Sequence, residues 1–315
     1  MIHSSFKLAL GSAAAMLLAS APAFAQHDAC QTVRFSDVGW TDITATTATA
    51  SVVLEALGYE ADVQVLSVPV TYRSLQNNDI DVFLGNWMPT MEADISPYLE
   101  DGSVEVVGTN LEGAKYTLAV PQYTYDAGLQ TFADIADFNE QLGGNIHGIE
   151  PGNDGNRLIL DMIENDTFGL GGFELVESSE QGMLSAVARA ARSEEHIVFL
   201  GWEPHPMNSN FDIAYLEGGD DVFGPNLGGA TVLTNVRKGY LEECPNVGQF
   251  LQNLSFTLEM ENEIMSAILD DGAEPNTAAR NWLKDNPDVL GSWLDGVTTL
   301  DGNDAEAAVR DALEG

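Results

Sequence analysis

Three consecutive stretches, TVRFSDV at residues 32–38, TATTATASVVLEALG at 44–58 and ADVQVLSV at 61–68, decide how this 315-residue chain folds. The first is a short apolar run of strand length. The second is a longer run of helix length closed by Gly58, and the third is strand-like again. Two strands joined by a helical crossover lie parallel, so the three stretches form a βαβ unit and open an α/β fold.

Outward from this unit the alternation continues. Strands are expected at 81–84, 115–120, 145–149, 173–176 and 197–200, with helices at 157–163 and 182–192. An extended run at 230–236 precedes helices rich in Leu, Met and Trp that reach the end, and no low-complexity linker divides the chain. Residues 1–25 have a different character. Lys7 precedes an apolar run from Leu8 through Ala15 to Leu18, and Ala23-Phe24-Ala25 supplies small residues for cleavage, the pattern of a secretory signal peptide. The run is too short and alanine-rich for a good spanning helix, and no later stretch reaches the roughly 20 apolar residues a span needs. Cys30 has no upstream Leu of a lipobox, so no lipid anchor is expected there. The expected location is the periplasm. Cleavage leaves 290 of the 315 residues, more than one simple core usually takes, so two domains are expected.

The formal charge of −37 becomes −38 when Lys7 leaves with the leader. So acidic a surface excludes nucleic acid as a partner. It suits a saline environment, with a weak attraction for cationic solutes as the alternative. The only cysteines are Cys30 and Cys244. An oxidising compartment favours joining them, and two buried free thiols are the alternative. A bond closing so long a loop is worth about 5 kcal/mol as an upper figure in the chain-entropy model.

One internal echo stands out. Val82-Phe83-Leu84-Gly85-Asn86-Trp87-Met88-Pro89 resembles Val198-Phe199-Leu200-Gly201-Trp202-Glu203-Pro204. Each is an apolar strand that ends in Gly, Trp and Pro, and loops at the carboxyl ends of strands are where open α/β sheets bind ligands. One copy in each lobe would set two tryptophans across a cleft; the alternative is chance similarity of two strand ends. Trp40 also follows a strand, and Tyr116 begins one. Trp282 and Trp293 lie on helical patterns and are expected in the core.

Enzyme signatures are missing: there is no G-x-S-x-G elbow, no H-E-x-x-H helix and no Walker loop. His3 lies in the leader and His27 near the new N-terminus, while His147, His196 and His205 flank strands and read as structural. No Cys/His pair has zinc spacing, and the acidic segments at 270–274 and 301–306 do not follow a calcium loop. No metal and no cofactor are expected.

A quaternary ammonium has no N–H to donate, so a protein holds it with aromatic faces. Here the residues carry a resemblance. Phe35-Ser36-Asp37-Val38-Gly39-Trp40-Thr41-Asp42, Gly85-Asn86-Trp87, Lys115-Tyr116-Thr117, Glu150-Pro151-Gly152-Asn153 and Gly201-Trp202-Glu203-Pro204 together resemble the periplasmic choline-binding proteins of ABC importers, within the glycine betaine and choline class of solute-binding proteins. The resemblance runs over essentially the whole mature chain. It implies a box of Trp40, Trp87, Tyr116 and Trp202 around a trimethylammonium group, with Asp42 and Asn153 meeting the choline hydroxyl. It also implies a disulfide between Cys30 and Cys244. A capping role at a helix start is the structural alternative for both Asp42 and Asn153.

The fold that follows is a two-lobed α/β periplasmic binding protein of type II, each lobe a mixed sheet flanked by helices with the ligand cleft between them. Lobe 1 is discontinuous, residues 26–115 and 213–315, and lobe 2 is residues 116–212. The function that follows is capture of choline by a monomer and its delivery to an ABC permease, with no catalysis. Glycine betaine, trimethylamine oxide, carnitine or a sulfonium analogue are the alternative ligands. A hydrolase of choline esters is remote, since Thr41 and Ser36 lack a recognisable His partner.

Overall fold

The computed structural model describes residues 29–315, so the signal peptide expected at residues 1–25 lies outside the described residues. Among the described residues nine strands form one sheet: β1 (Thr32–Asp37), β2 (Glu60–Val65), β3 (Val82–Met88), β4 (Val104–Pro121), β5 (Asn145–His147), β6 (Glu174–Val176), β7 (Phe199–Glu203), β8 (Ile213–Tyr215) and β9 (Gly229–Arg237). Their order is β2-β1-β3-β9-β4-β7-β5-β6, with β8 also paired to β4.

The opening βαβ unit forms as its pattern requires. β1 and β2 are parallel and in register from Thr32 opposite Glu60 to Asp37 opposite Val65. The connecting helix spans Thr41–Ala56, three residues earlier than the apolar run suggested. It is buried on nearly every side, so it has no amphipathic stripe to mark its start. Its hydroxyls tolerate that burial by bonding to their own helix: Thr49 Oγ1 donates to the Ala45 carbonyl at 2.8 Å and Ser51 Oγ to that of Thr47 at 2.7 Å. The helices Leu258–Leu269 and Pro275–Asp285 from the far end of the chain pack against it.

β4 joins the two halves of the molecule. Its first part, from Val104 to Lys115, pairs antiparallel with β9. From Lys115 to Ala119 it pairs with β7, and from Ala119 to Pro121 with β8. Three shifts of register between Val106 and Ala114 bend it at the crossing. The first lobe thus holds parallel β2, β1 and β3 with antiparallel β9. The second holds parallel β7, β5 and β6, with the end of β4 antiparallel to β7. Both sheets are mixed. The two echoed strands, β3 and β7, fall one in each lobe, and both tryptophan segments lead into cis prolines at Pro89 and Pro204.

Cys30 and Cys244 are joined, with Cα atoms 5.5 Å apart at a sequence separation of 214. The bond pins the start of β1 to the segment after β9, inside the first lobe. Trp293 is buried as expected, whereas Trp282 is only partly so, its Nε1 donating to surface Glu263 at 2.6 Å.

Candidate functional site

The site assembles where strand ends from both lobes meet. After β1 the chain turns through Gly39, whose φ of +80° suits a residue without Cβ, and whose N–H is accepted by Asp37 at 2.7 Å. This sets Trp40 as the N-cap of the Thr41–Ala56 helix and Asp42 in its first turn. Trp87 is the second-last residue of β3, and Trp202 the second-last of β7, directly opposite Tyr116 of β4.

Trp40, Asp42, Trp87, Tyr116 and Trp202, together with Ile149, line one small pocket. Its empty volume is about 240 Å³, with any open solvent at its mouth included. It therefore suits a compact solute. The Tyr116 ring centroid lies 6.0 Å from that of Trp87 and 6.2 Å from that of Trp202, tilted by 59° and 80°, so the rings stand as walls and not as a stack. Phe223 abuts Tyr116 from outside at 6.0 Å, edge to face. Each of the four ring residues is at most 5% exposed.

Asp42 is not the N-cap of its helix. Its Oδ2 accepts Trp87 Nε1–H at 3.0 Å, which ties the acid to one wall of the pocket. Oδ1 is buried and has no hydrogen-bond partner among the described residues. Burial, and then the nearby Glu180 carboxylate, push the Asp42 pKa up to about 8. Trp40 Nε1 donates across the cleft to Glu150 Oε1 at 2.7 Å, and burial raises Glu150 to about 7. Asp154 is also buried, near the Thr90 hydroxyl, and burial raises its pKa to about 6. Trp202 Nε1–H is a buried donor without a partner among the described residues.

Asn153 does not line the pocket. It caps the Asp154–Glu164 helix, its Oδ1 accepting Asn156 N–H at 2.8 Å and the Tyr116 hydroxyl at 3.4 Å, while its Nδ2 donates to the Glu150 carbonyl. The capping alternative is therefore realised, and the cap also braces a wall of the pocket. Behind that wall, Gly155 leaves the space the Tyr116 hydroxyl occupies, since a Cβ there would overlap it.

Several partners were not read as site residues in the sequence. Glu150 lies in the quoted Glu-Pro-Gly-Asn turn, a signal that was present but not assigned a role. Ile149, Asp154, Gly155, Glu180 and Phe223 carry no local signature, and only folding brings them near the aromatic residues.

A family model for the substrate-binding domain of the ABC-type glycine betaine transport system matches residues 31–285. The solved structure of an ABC-transporter choline-binding protein in complex with choline is 69% identical, covers 91% of this chain and 99% of its own, and superposes with a TM-score of 0.90. Lactococcal OpuAC in its closed form with glycine betaine is 26% identical over 84% of this chain and 99% of its own, with a TM-score of 0.76. The glycine betaine/carnitine transport binding protein GbuC of Listeria monocytogenes is 33% identical over 168 residues, 53% of this chain and 55% of that protein.

Proposed function

The chain belongs to the substrate-binding domain family of ABC-type glycine betaine transport systems, and from that premise we propose that it captures choline between its lobes and presents it to the permease of an ABC importer. The observation that carries the choice of ligand is the buried Oδ1 of Asp42, an acceptor without a partner in a pocket walled by aromatic rings. The trimethylammonium group would sit among Trp40, Trp87, Tyr116 and Trp202, and the choline hydroxyl would donate to Asp42 Oδ1. Asn153 keeps one amide N–H beyond the bond to Glu150, and we assign that N–H to the hydroxyl oxygen. Each desolvated cation–π contact contributes up to about 2 kcal/mol, so the rings supply much of the roughly 8 kcal/mol of micromolar binding.

Charge favours choline over betaine. Among the described residues no cationic side chain lines the pocket, and Asp42 is within Coulombic reach of Glu180. Glycine betaine would add a carboxylate to that group, a repulsion that a simple cation avoids. The unpartnered Trp202 Nε1–H supports the second reading, because a betaine carboxylate or an amine oxide would accept from it.

The lobes are assigned from the same sheet. A first crossing at Lys115 fits the point where β4 changes partner. β8 pairs with the lobe 2 part of β4, which supports a return crossing just before β9 in preference to one at residue 213. Export by the signal peptide, periplasmic action as a monomer and the lack of catalysis complete the proposal. They fit relatives whose names describe binding and transport.

Calorimetry of the purified protein with choline, acetylcholine, glycine betaine and trimethylamine oxide tests the reading. Choline is expected to bind in the micromolar range or tighter. Tighter binding of betaine would reverse the ligand order, and turnover of choline or acetylcholine would overturn the non-enzymatic assignment.

A further inference from the structure

The lobes are bridged beside the pocket by a buried polar chain that ligand contact does not explain. Glu180 is the first residue of the helix Glu180–Ser193 in lobe 2 and is 1% exposed. Its Oε2 accepts the Thr41 backbone N–H at 2.8 Å, and its Oε1 accepts the Thr41 hydroxyl at 2.5 Å. Thr41 is the first residue of the lobe 1 helix Thr41–Ala56, whose N-cap, Trp40, offers no side-chain acceptor. A carboxylate from the opposite lobe thus supplies the cap that this helix lacks. It also sits at the amino end of its own helix, where negative charge is favoured.

Glu180 is itself held in place. His205 Nδ1 accepts the Met207 N–H at 2.9 Å, so the ring proton is on Nε2, which faces Glu180 Oε1 at 3.1 Å. The same imidazole stands 4.8 Å from the Trp202 ring at 71°. At the other end of the chain, Thr41 lies between Trp40 and Asp42, two lining residues of the pocket. The path runs from one wall, Trp202, through His205, Glu180 and Thr41 to the opposite wall and the unpartnered acceptor.

We propose that Glu180, oriented by His205, is the closure latch of this protein: a positioning residue that caps the lobe 1 helix only when the cleft is shut, and so sets how long ligand stays. The inference builds on the reading of the cleft as a choline site. Opening breaks both bonds to Thr41 and leaves the bond to His205 intact, so the carboxylate waits in place for the next closure. Neither Glu180 nor His205 lines the pocket, so the latch acts through geometry and the dissociation step.

Glu180→Gln tests it, because an amide presents N–H to one of the two Thr41 donors. Stopped-flow tryptophan fluorescence with choline is expected to show koff raised about tenfold or more with kon changed less than about twofold. The melting temperature of the ligand-free protein should stay within about 2 °C. Thr41→Val, which keeps the N–H and loses the hydroxyl, should give a smaller rise in koff, and Thr41→Ser should restore the wild-type value. A second measurement does not depend on the ligand: spin labels at Leu99→Cys and Leu160→Cys, both exposed and in different lobes, should report longer interlobe distances in Glu180→Gln than in the otherwise wild-type labelled protein. Unchanged distances, or a koff within twofold of wild type in both Glu180→Gln and Thr41→Val, would sink the latch. Failure of the wild type to bind choline would sink the ligand reading instead, and the distance measurement would still decide the latch.

Discussion

Choline affinity should rise with pH because of Asp42. Burial and then the Glu180 carboxylate hold the Asp42 pKa near 8 when the cleft is shut around it, so at pH 7 the acid there is mostly protonated until a cation joins it. A cation bound beside it favours the ionised form, and an opposite charge at contact range lowers a carboxyl pKa by about 1–3 units. The sign follows from linkage: the bound state holds fewer protons than the free state, so binding releases protons and strengthens as pH rises. A shift of one unit from about 8 gives about a 5-fold gain between pH 6 and pH 8, and a shift of three units about 45-fold. For a two-unit shift, about 0.8 proton leaves per choline bound at pH 7.

Choline has no group that titrates in this range, so the dependence belongs to the protein. Isothermal titration in two buffers of different ionisation enthalpy counts the released protons, and repeating it from pH 6 to pH 9 gives the slope. Asp42→Asn should flatten most of the slope while weakening binding. What remains should have the same sign and belongs to Glu150 and Asp154, whose raised pKa values of about 7 and 6 have burial as their main cause. Proton uptake on binding, or an affinity that falls between pH 6 and pH 8, would refute this reasoning.

Two further substitutions probe the walls and the staple. Trp87→Ala removes a ring face and should weaken choline binding at least about tenfold by calorimetry. Trp87→Phe keeps a ring but strips the N–H from Asp42 Oδ2, so it should fall between wild type and alanine; equal affinity in Trp87→Phe and wild type would show that this hydrogen bond does not shape the acceptor. Replacing both Cys30 and Cys244 with Ser should lower stability by up to about 5 kcal/mol in urea unfolding, while choline affinity measured under folded conditions changes less than about twofold, since the bond lies within one lobe.

The parts of the fold that were legible are those with a local cause. β1, the crossover and β2 could be read because apolar runs of contrasting length are closed by Gly58. The start of the crossover helix could not, because Thr41, Asp42 and Ile43 are buried for tertiary reasons and show no stripe. Five of the six ligand residues named from the sequence line one pocket: Trp40 and Asp42 follow β1, Trp87 and Trp202 stand one residue from the ends of β3 and β7, and Tyr116, expected to begin a strand, lies inside the longer β4 where it changes partner. Asn153 is the sixth, and it caps a helix beside that pocket without lining it. Its amide is spent largely on the helix start and on Tyr116, which residue type and position do not distinguish from direct contact. Glu150 and Glu180 were missed for another reason: their partners Trp40 and Thr41 are 110 and 139 residues away, and no periodicity encodes such a meeting.

Those two missed residues bear on why a cation should close the cleft. Shutting the lobes brings Glu150 to Trp40 and Glu180 to Thr41, both neighbours of Asp42. The hydrogen bonds favour closure, but burying and gathering the carboxylates opposes it: Asp42 and Glu150 have pKa values raised first by burial and further by neighbouring carboxylates. A ligand shifts an equilibrium only by its differential affinity for the two states. A quaternary ammonium supplies that difference twice, through aromatic faces that surround it only in the closed form and through a positive charge that relieves the repulsion. A neutral solute of the same shape would gain the first contribution without the second, and a zwitterion would return part of the second. On this argument the acids outside the pocket set which ligands can hold the lobes shut, while the rings decide which ligands fit.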